Sequence, residues 1–204
     1  MNRLLLLLLL FFLASSLSAC GGDIAGGGAK EIEIYAAAHG DRTGTSGTSL
    51  QIAGSGQLTG VASVPQGMIT FDAAASLFDE RGEVVPITTA VTTQLQLERQ
   101  DSLRFARRSV EAVEYTRLRL VFTRVEAFVD TGLIIGGVPR PGPFRVLLPA
   151  GGVMIEIPIE LTVPARSPER IVVDLNATEW LVTANALGEV APAAFQNAIR
   201  VRVW

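Results

Sequence analysis

Residue types that carry covalent or metal chemistry are scarce in this chain. Cys20 is the only cysteine and His39 the only histidine. One thiol closes no disulfide within the chain, and zinc sites built from several histidines or cysteines are excluded. A serine–histidine–acid triad could use only His39, which sits in Ala38-His39-Gly40-Asp41 and reads as a loop residue at a strand end. The densest charged feature is Arg104, Arg107, Arg108, Arg117, Arg119 and Arg124. Guanidinium forks bind carboxylate or phosphate bidentately. If the first three lie beside Arg117 and Arg119 on one polar face, that face suits an acidic polysaccharide, a lipid headgroup or an acidic partner. The alternative is a solvated face with cross-strand pairs to Glu98, Glu111 and Glu114, each contributing roughly 0.2–1 kcal/mol.

Trp180 and Trp204 are the only tryptophans. An exposed one would stack on a sugar ring, and the alternative is a tryptophan buried between sheets. Asp174, Asn176 and Glu179 offer hard oxygen donors for calcium, with an Asx-turn as the competing role. Glu156 and Glu160 lie roughly 13 Å apart along an extended strand, beyond the approximately 5–9.5 Å of a glycosidase pair. The candidate ligand-binding residues are therefore Arg104, Arg117, Arg119 and Trp180. No catalytic residue, metal or cofactor is assigned.

Cys20 has a different role. Met1-Asn2-Arg3 is a short positive start, and residues 4–13 form an unbroken apolar run. That run is too short for a bilayer core, which needs roughly 20 residues, but it suits an export signal. Leu17-Ser18-Ala19-Cys20 follows and resembles the lipobox of bacterial lipoproteins. The resemblance implies cleavage before Cys20 and acylation of its thiol. Residues 1–19 are then a signal peptide, and residues 20–29 a lipidated cysteine with a glycine-rich, coil-like tether. Gly21 in place of Asp favours the outer membrane.

The chain has a formal net charge of −3, and loss of the leader removes Arg3 as well. A mildly acidic protein is a poor nucleic-acid binder. Hydrophobic content of 49% against 18% charged argues for a packed core, and residues 30–204 suffice for one domain.

The elements that must position these residues are strands. Ile32, Ile34 and Ala36 alternate with Glu31, Glu33 and Tyr35. Residues 57–64 and 68–77 are two more runs, and 40–56 reads as a loop. Asp79-Glu80-Arg81-Gly82 is a hairpin turn, with 83–87 continuing past it. Val91, Thr93, Leu95 and Leu97 share a face. Residues 101–114 read as a short strand and irregular return, with a helix capped at Asp101 as the alternative. In 115–129 Leu118, Leu120 and Phe122 share one parity, but Val125 and Val129 take the other, which predicts a bulge near Thr123-Arg124. Residues 136–143 carry three prolines and read as an exposed loop. Strands follow at 144–148, 153–163 (an edge, because of Pro158), 171–175, 180–184 and 199–204. About 8–10 short strands without a long helix predict an all-β, antiparallel sandwich, immunoglobulin-like or transthyretin-like, with Greek-key connections.

Much of the chain also resembles an uncharacterised family of β-sandwich domains from bacterial and archaeal surface lipoproteins, a domain of unknown function. The resemblance is carried by Met68-Ile69-Thr70-Phe71, Asp79-Glu80-Arg81-Gly82, Leu95-Gln96-Leu97 and residues 115–120. It continues through 144–151, Ile155-Glu156-Ile157, 171–177 and Ile199-Arg200-Val201. It departs at Ala36-Ala37-Ala38-His39-Gly40, where the family has a Thr-Asp-Ala-Pro turn, and at Val113-Glu114, where it has Pro-Ala-Gly. The resemblance implies a lipid-anchored sandwich that binds carbohydrate or another extracellular ligand, with no established activity. The function expected is a non-catalytic binding or adhesion module of the cell envelope. The alternative is an accessory subunit that pairs through an exposed edge strand such as 153–163, and a hydrolase is disfavoured. The expected partners are the membrane, through Cys20, and a glycan or envelope protein, not nucleic acid.

Overall fold

The computed structural model describes residues 30–39, 64–162 and 169–204. The expected leader, Cys20, the expected glycine tether, the expected 40–56 loop and all but the last residue of the strand expected at 57–64 lie outside the described residues. Val64 itself is not in a strand.

The fold is an all-β sandwich. One sheet, A, has the order β12-β10-β1-β4, from β1 (Lys30–Ala37), β4 (Leu103–Val110), β10 (Glu169–Asp174) and β12 (Arg200–Val203). The facing sheet, B, has the order β11-β8-β5-β2-β3, with β9 also paired to β5. Its members are β2 (Gln66–Asp79), β3 (Val84–Gln96), β5 (Glu114–Thr131), β8 (Gly142–Val146), β9 (Val153–Thr162) and β11 (Glu189–Val190). A small hairpin, β6 (Ile134–Ile135) with β7 (Val138–Pro139), stands apart. The sheets are mixed, not purely antiparallel as expected. β1 runs parallel to β10, and β11 parallel to β8. Both parallel pairs join strands distant in sequence, which no local hairpin signal encodes.

Alternation sets the burial. Ile32, Ile34 and Ala36 are fully buried, as are Leu118, Leu120 and Phe122 on β5 (at most 1% exposed). The bulge falls at Thr123: Asp72 pairs with Arg124, and the next residue, Ala73, pairs with Phe122. The extra residue flips the parity, so Val125, Ala127 and Val129 point inward beyond it. The same point breaks the sheet edge. β8 pairs with the end of β5 past the bulge, and β9 with the stretch before it. The turn between them comes against the bulge at Gly152, where φ is 78° and a Cβ would stand 2.4 Å from the Phe122 carbonyl oxygen.

The Asp79–Gly82 turn forms as its residues require. The Gly82 N–H donates to the Asp79 carbonyl, and the Glu83 N–H to the Asp79 carboxylate. Residues 103–110 are a strand, which resolves the strand-or-helix alternative. At the start of β5, the buried Tyr115 donates its hydroxyl to the Glu111 carbonyl at 3.1 Å, in the manner of a tyrosine corner.

Two expectations are corrected. Residues 180–184 are not a strand. Asn176 takes a left-handed conformation and starts α1 (Ala177–Leu181), and a second helix, α2 (Pro192–Ala198), follows with Pro192 at its first turn. The β-branched and aromatic residues of 180–184 suggested a strand, but tertiary packing decides: Trp180 and Phe195 meet edge-on at 5.7 Å and Phe195 meets Phe122 at 5.1 Å. The 136–143 segment is exposed except at Arg140 and Gly142, but it is not wholly irregular. Gly136 and Gly137, at φ 59° and 81°, make the two-residue turn of the β6–β7 hairpin, and Pro143 lies within β8.

Candidate ligand-binding face

The arginines do not gather. β4 pairs with β1 in sheet A, whereas Arg117, Arg119 and Arg124 lie on β5 in sheet B, so the two groups occupy different sheets. Arg104 hydrogen-bonds Glu33, Arg107 forks onto Glu31, and Arg108 reaches the Pro86 carbonyl. On sheet B, Arg117 and Arg119 stack over the Phe78 ring at 4.6 and 4.4 Å and share Glu156, with Arg119 Nε at 2.7 Å. Cross-strand pairing is the right kind of role, but the partners are Glu31, Glu33, Asp72 and Glu156 rather than Glu98, Glu111 and Glu114.

Trp180 is fully buried and donates its indole N–H to the Leu175 carbonyl at 3.1 Å, so it stacks on no ligand. Trp204 is half exposed, with the Arg202 guanidinium 5.9 Å from its ring. Asp174 accepts the Asn176 N–H at 3.0 Å, which is the Asx-turn. The Asn176 amide donates to the Ala198 carbonyl, and Glu179 pairs with Arg200, so the three oxygen donors serve the fold separately. His39 Nδ1 lies 3.4 Å from the Thr178 hydroxyl, and burial pushes its pKa down. Asp174, whose charge opposes that shift, is engaged by Asn176 and faces Arg202 at 3.9 Å.

A different site stands on the outward face of sheet B, past the bulge. Register aligns the outward residues in three rows across the strands. The first is Gln96, Met68, Phe128 and Pro143; the second is Gln94, Thr70, Glu126 and Arg145; the third is Thr92, Asp72 and Arg124. β11 adds Glu189 opposite Arg145. The first row is apolar at its centre: Phe128 is 52% exposed and Met68 40%. The second row is polar. The third is closed on itself: Arg124 grips Asp72 through Nε and Nη2 at 2.9 and 3.1 Å while Thr92 donates to the same carboxylate at 2.5 Å. The Arg124 guanidinium, helped by Thr92, holds the Asp72 carboxyl below the usual carboxylate range.

The β2, β5 and β8 members of the first two rows line a groove of about 630 Å³, together with Glu189. One wall is the loop 185–189. Asn185 Oδ1 accepts the N–H groups of Leu187 and Glu189, and the Gly188 N–H returns to the Asn185 carbonyl. Arg140 Nη2 donates to the Ala186 carbonyl at 3.0 Å and ties the loop to the stretch after β7. Gly188 has φ 77°, and a Cβ there would stand 2.4 Å from the Pro143 carbonyl oxygen, so only glycine lets the loop close onto β8. A loop tied this firmly holds Leu187, 78% exposed, at the groove.

Sequence reasoning missed Phe128, Met68, Glu126, Arg145, Leu187 and Glu189. One signal was present. After the expected bulge Phe128 falls on the parity of Arg124 and Glu126, opposite Val125 and Val129, and a phenylalanine on the solvent side of a strand is unusual enough to mark. Loop 185–189 reaches β8 only through the parallel β8–β11 pair, which has no local sequence signature.

No family model, curated protein or solved structure matches the chain.

Proposed function

We propose that the chain is a non-catalytic binding module of the cell envelope, anchored through Cys20, that takes a saccharide on the outward face of sheet B. The observation that carries the reading is the pairing of an exposed apolar row, centred on the Phe128 ring and Met68, with a polar row one step along the same strands. The face of an aromatic ring is electron-rich and accepts the C–H face of a pyranose. Carboxylates, a guanidinium and a threonine hydroxyl beside it receive and donate the hydrogen bonds that fix the ring's orientation.

The position of the groove agrees with an N-terminal anchor. Lys30 pairs with Val110, which the short link 111–113 joins to the start of β5. Glu126 and Phe128 lie toward the other end of β5, roughly 40 Å along the strand. A tether entering at Lys30 therefore leaves the groove at the distal end. The alternative, an accessory subunit pairing through β9, has weaker support. Pro158 interrupts the donor row of that strand, and Gln196 of α2 already donates to the Met154 carbonyl.

The test is a glycan array probed with protein purified from native membranes, wild type beside Phe128→Ala. Binding that falls about tenfold or more in the variant, with an unchanged melting temperature, is the expected result. Silence of the wild type across the array contradicts the reading.

A further inference from the structure

Charge sorts the ligands that this groove can accept; the inference rests on the saccharide reading above. Two carboxylates and one guanidinium line the groove: Glu126, Glu189 and Arg145. Arg145 Nη2 donates to Glu189 Oε1 at 2.5 Å, and Asn185 Nδ2 donates to the other oxygen at 3.2 Å. Glu189 is the more buried partner, its side chain 16% exposed against 64% for Arg145. Turning Arg145 toward a bound anion would strip a half-enclosed carboxylate of its counter-charge. The next guanidinium, Arg124, is forked onto Asp72 and approaches Glu126 no closer than 3.9 Å. Glu126 therefore stands with its side chain 55% exposed at the groove.

We propose that the groove selects uncharged saccharides, whose neighbouring hydroxyls donate to the Glu126 carboxylate while ring carbons lie on Phe128, and excludes uronic acids and sugar phosphates. An anionic group would meet a lining that carries one more negative charge than positive, across a few ångströms, in surroundings less screened than bulk water. Arg145 and Asn185 hold the Glu189 carboxyl below the usual carboxylate range, so its charge persists in mildly acid solution.

The experiment is titration calorimetry of the full acylated chain in detergent. The probes are neutral hexose and N-acetylhexosamine oligosaccharides, the matching oligosaccharides ending in glucuronic acid, and the corresponding 6-phosphates. Neutral ligands should bind at least about tenfold more tightly than either anionic set, a gap that 0.5 M salt narrows. Glu126→Gln should weaken the neutral ligands, whose hydroxyls lose a charged acceptor, while narrowing the gap between them and the anionic ones. Equal or tighter anionic binding that Phe128→Ala abolishes would overturn the selectivity and leave the groove standing. Absence of binding by every probe would overturn the saccharide reading together with the inference.

Discussion

At the scale of single residues, what matters is which side chains the fold consumes. Trp180 belongs to the core: it is fully buried and its N–H is satisfied. Trp180→Ala should cost about 3–5 kcal/mol, read from denaturant midpoints, whereas Phe128→Ala should leave them nearly unchanged. The carboxylates set the pH dependence. Glu33 is held below the usual range by the Tyr35 hydroxyl and then Arg104, and Asp72 by Arg124 and then Thr92. Groups lowered in the folded state contribute stability above the ordinary carboxylate range, near pH 4, and that stability is lost as pH falls through their depressed values. Glu114 has the opposite sign. The Glu80 carboxyl beside it raises its pKa, so the folded protein takes up a proton early and gains slightly as the pH falls toward that range. Unfolding midpoints from pH 7 to 2.5 should therefore rise a little and then drop, and Glu114→Gln should remove the rise without moving the drop.

At the scale of elements, the bulge at Thr123 decides what faces solvent. Deleting Thr123 would leave Phe122 and Val125 two residues apart, so an uninterrupted period of two would keep Val125, Ala127 and Val129 inward and Glu126 and Phe128 outward against the unbroken β2. The deletion should therefore keep cooperative thermal unfolding followed by circular dichroism, and a chain that no longer unfolds cooperatively would contradict the bulge. Gly152→Ala tests the neighbouring break in the edge: a Cβ 2.4 Å from a carbonyl oxygen at positive φ should cost about 1–3 kcal/mol. Local rules were enough to read much of this from the sequence. Alternation in 31–36 and 115–129, the parity switch, the Asp79–Gly82 turn and the proline-marked edge strand all depend on near neighbours. Rules of that range could not reach the parallel partners of β1 and β8, nor the packing of Trp180 on Phe195 that winds 177–181 into a helix. The arginine face failed for the same reason. Whether Arg104 lies beside Arg117 depends on which sheet β4 joins, and β4 pairs with β1, far back along the chain.

At the scale of the molecule, the two outward faces differ in kind. Sheet A presents Glu31 and Glu33 met by Arg104 and Arg107, with Arg170 over the Tyr35 ring at 5.2 Å, a surface of mutually satisfied charges. Sheet B, past the bulge, presents an open groove with Phe128, Met68 and Leu187 beside Thr70 and Glu126. Among the described residues this groove sets the exposed apolar side chains of Phe128, Met68 and Leu187 beside polar groups that still face solvent, Glu126 among them at 55% exposed. The most direct measurement of that difference is amide chemical-shift mapping of the isotopically labelled protein as the tightest-binding neutral oligosaccharide is added. The account predicts shifts confined to Met68, Thr70, Glu126, Phe128, Arg145, Leu187, Gly188 and Glu189. Shifts that fall instead on Tyr35, Arg104, Arg170 and Trp204 of sheet A would contradict it.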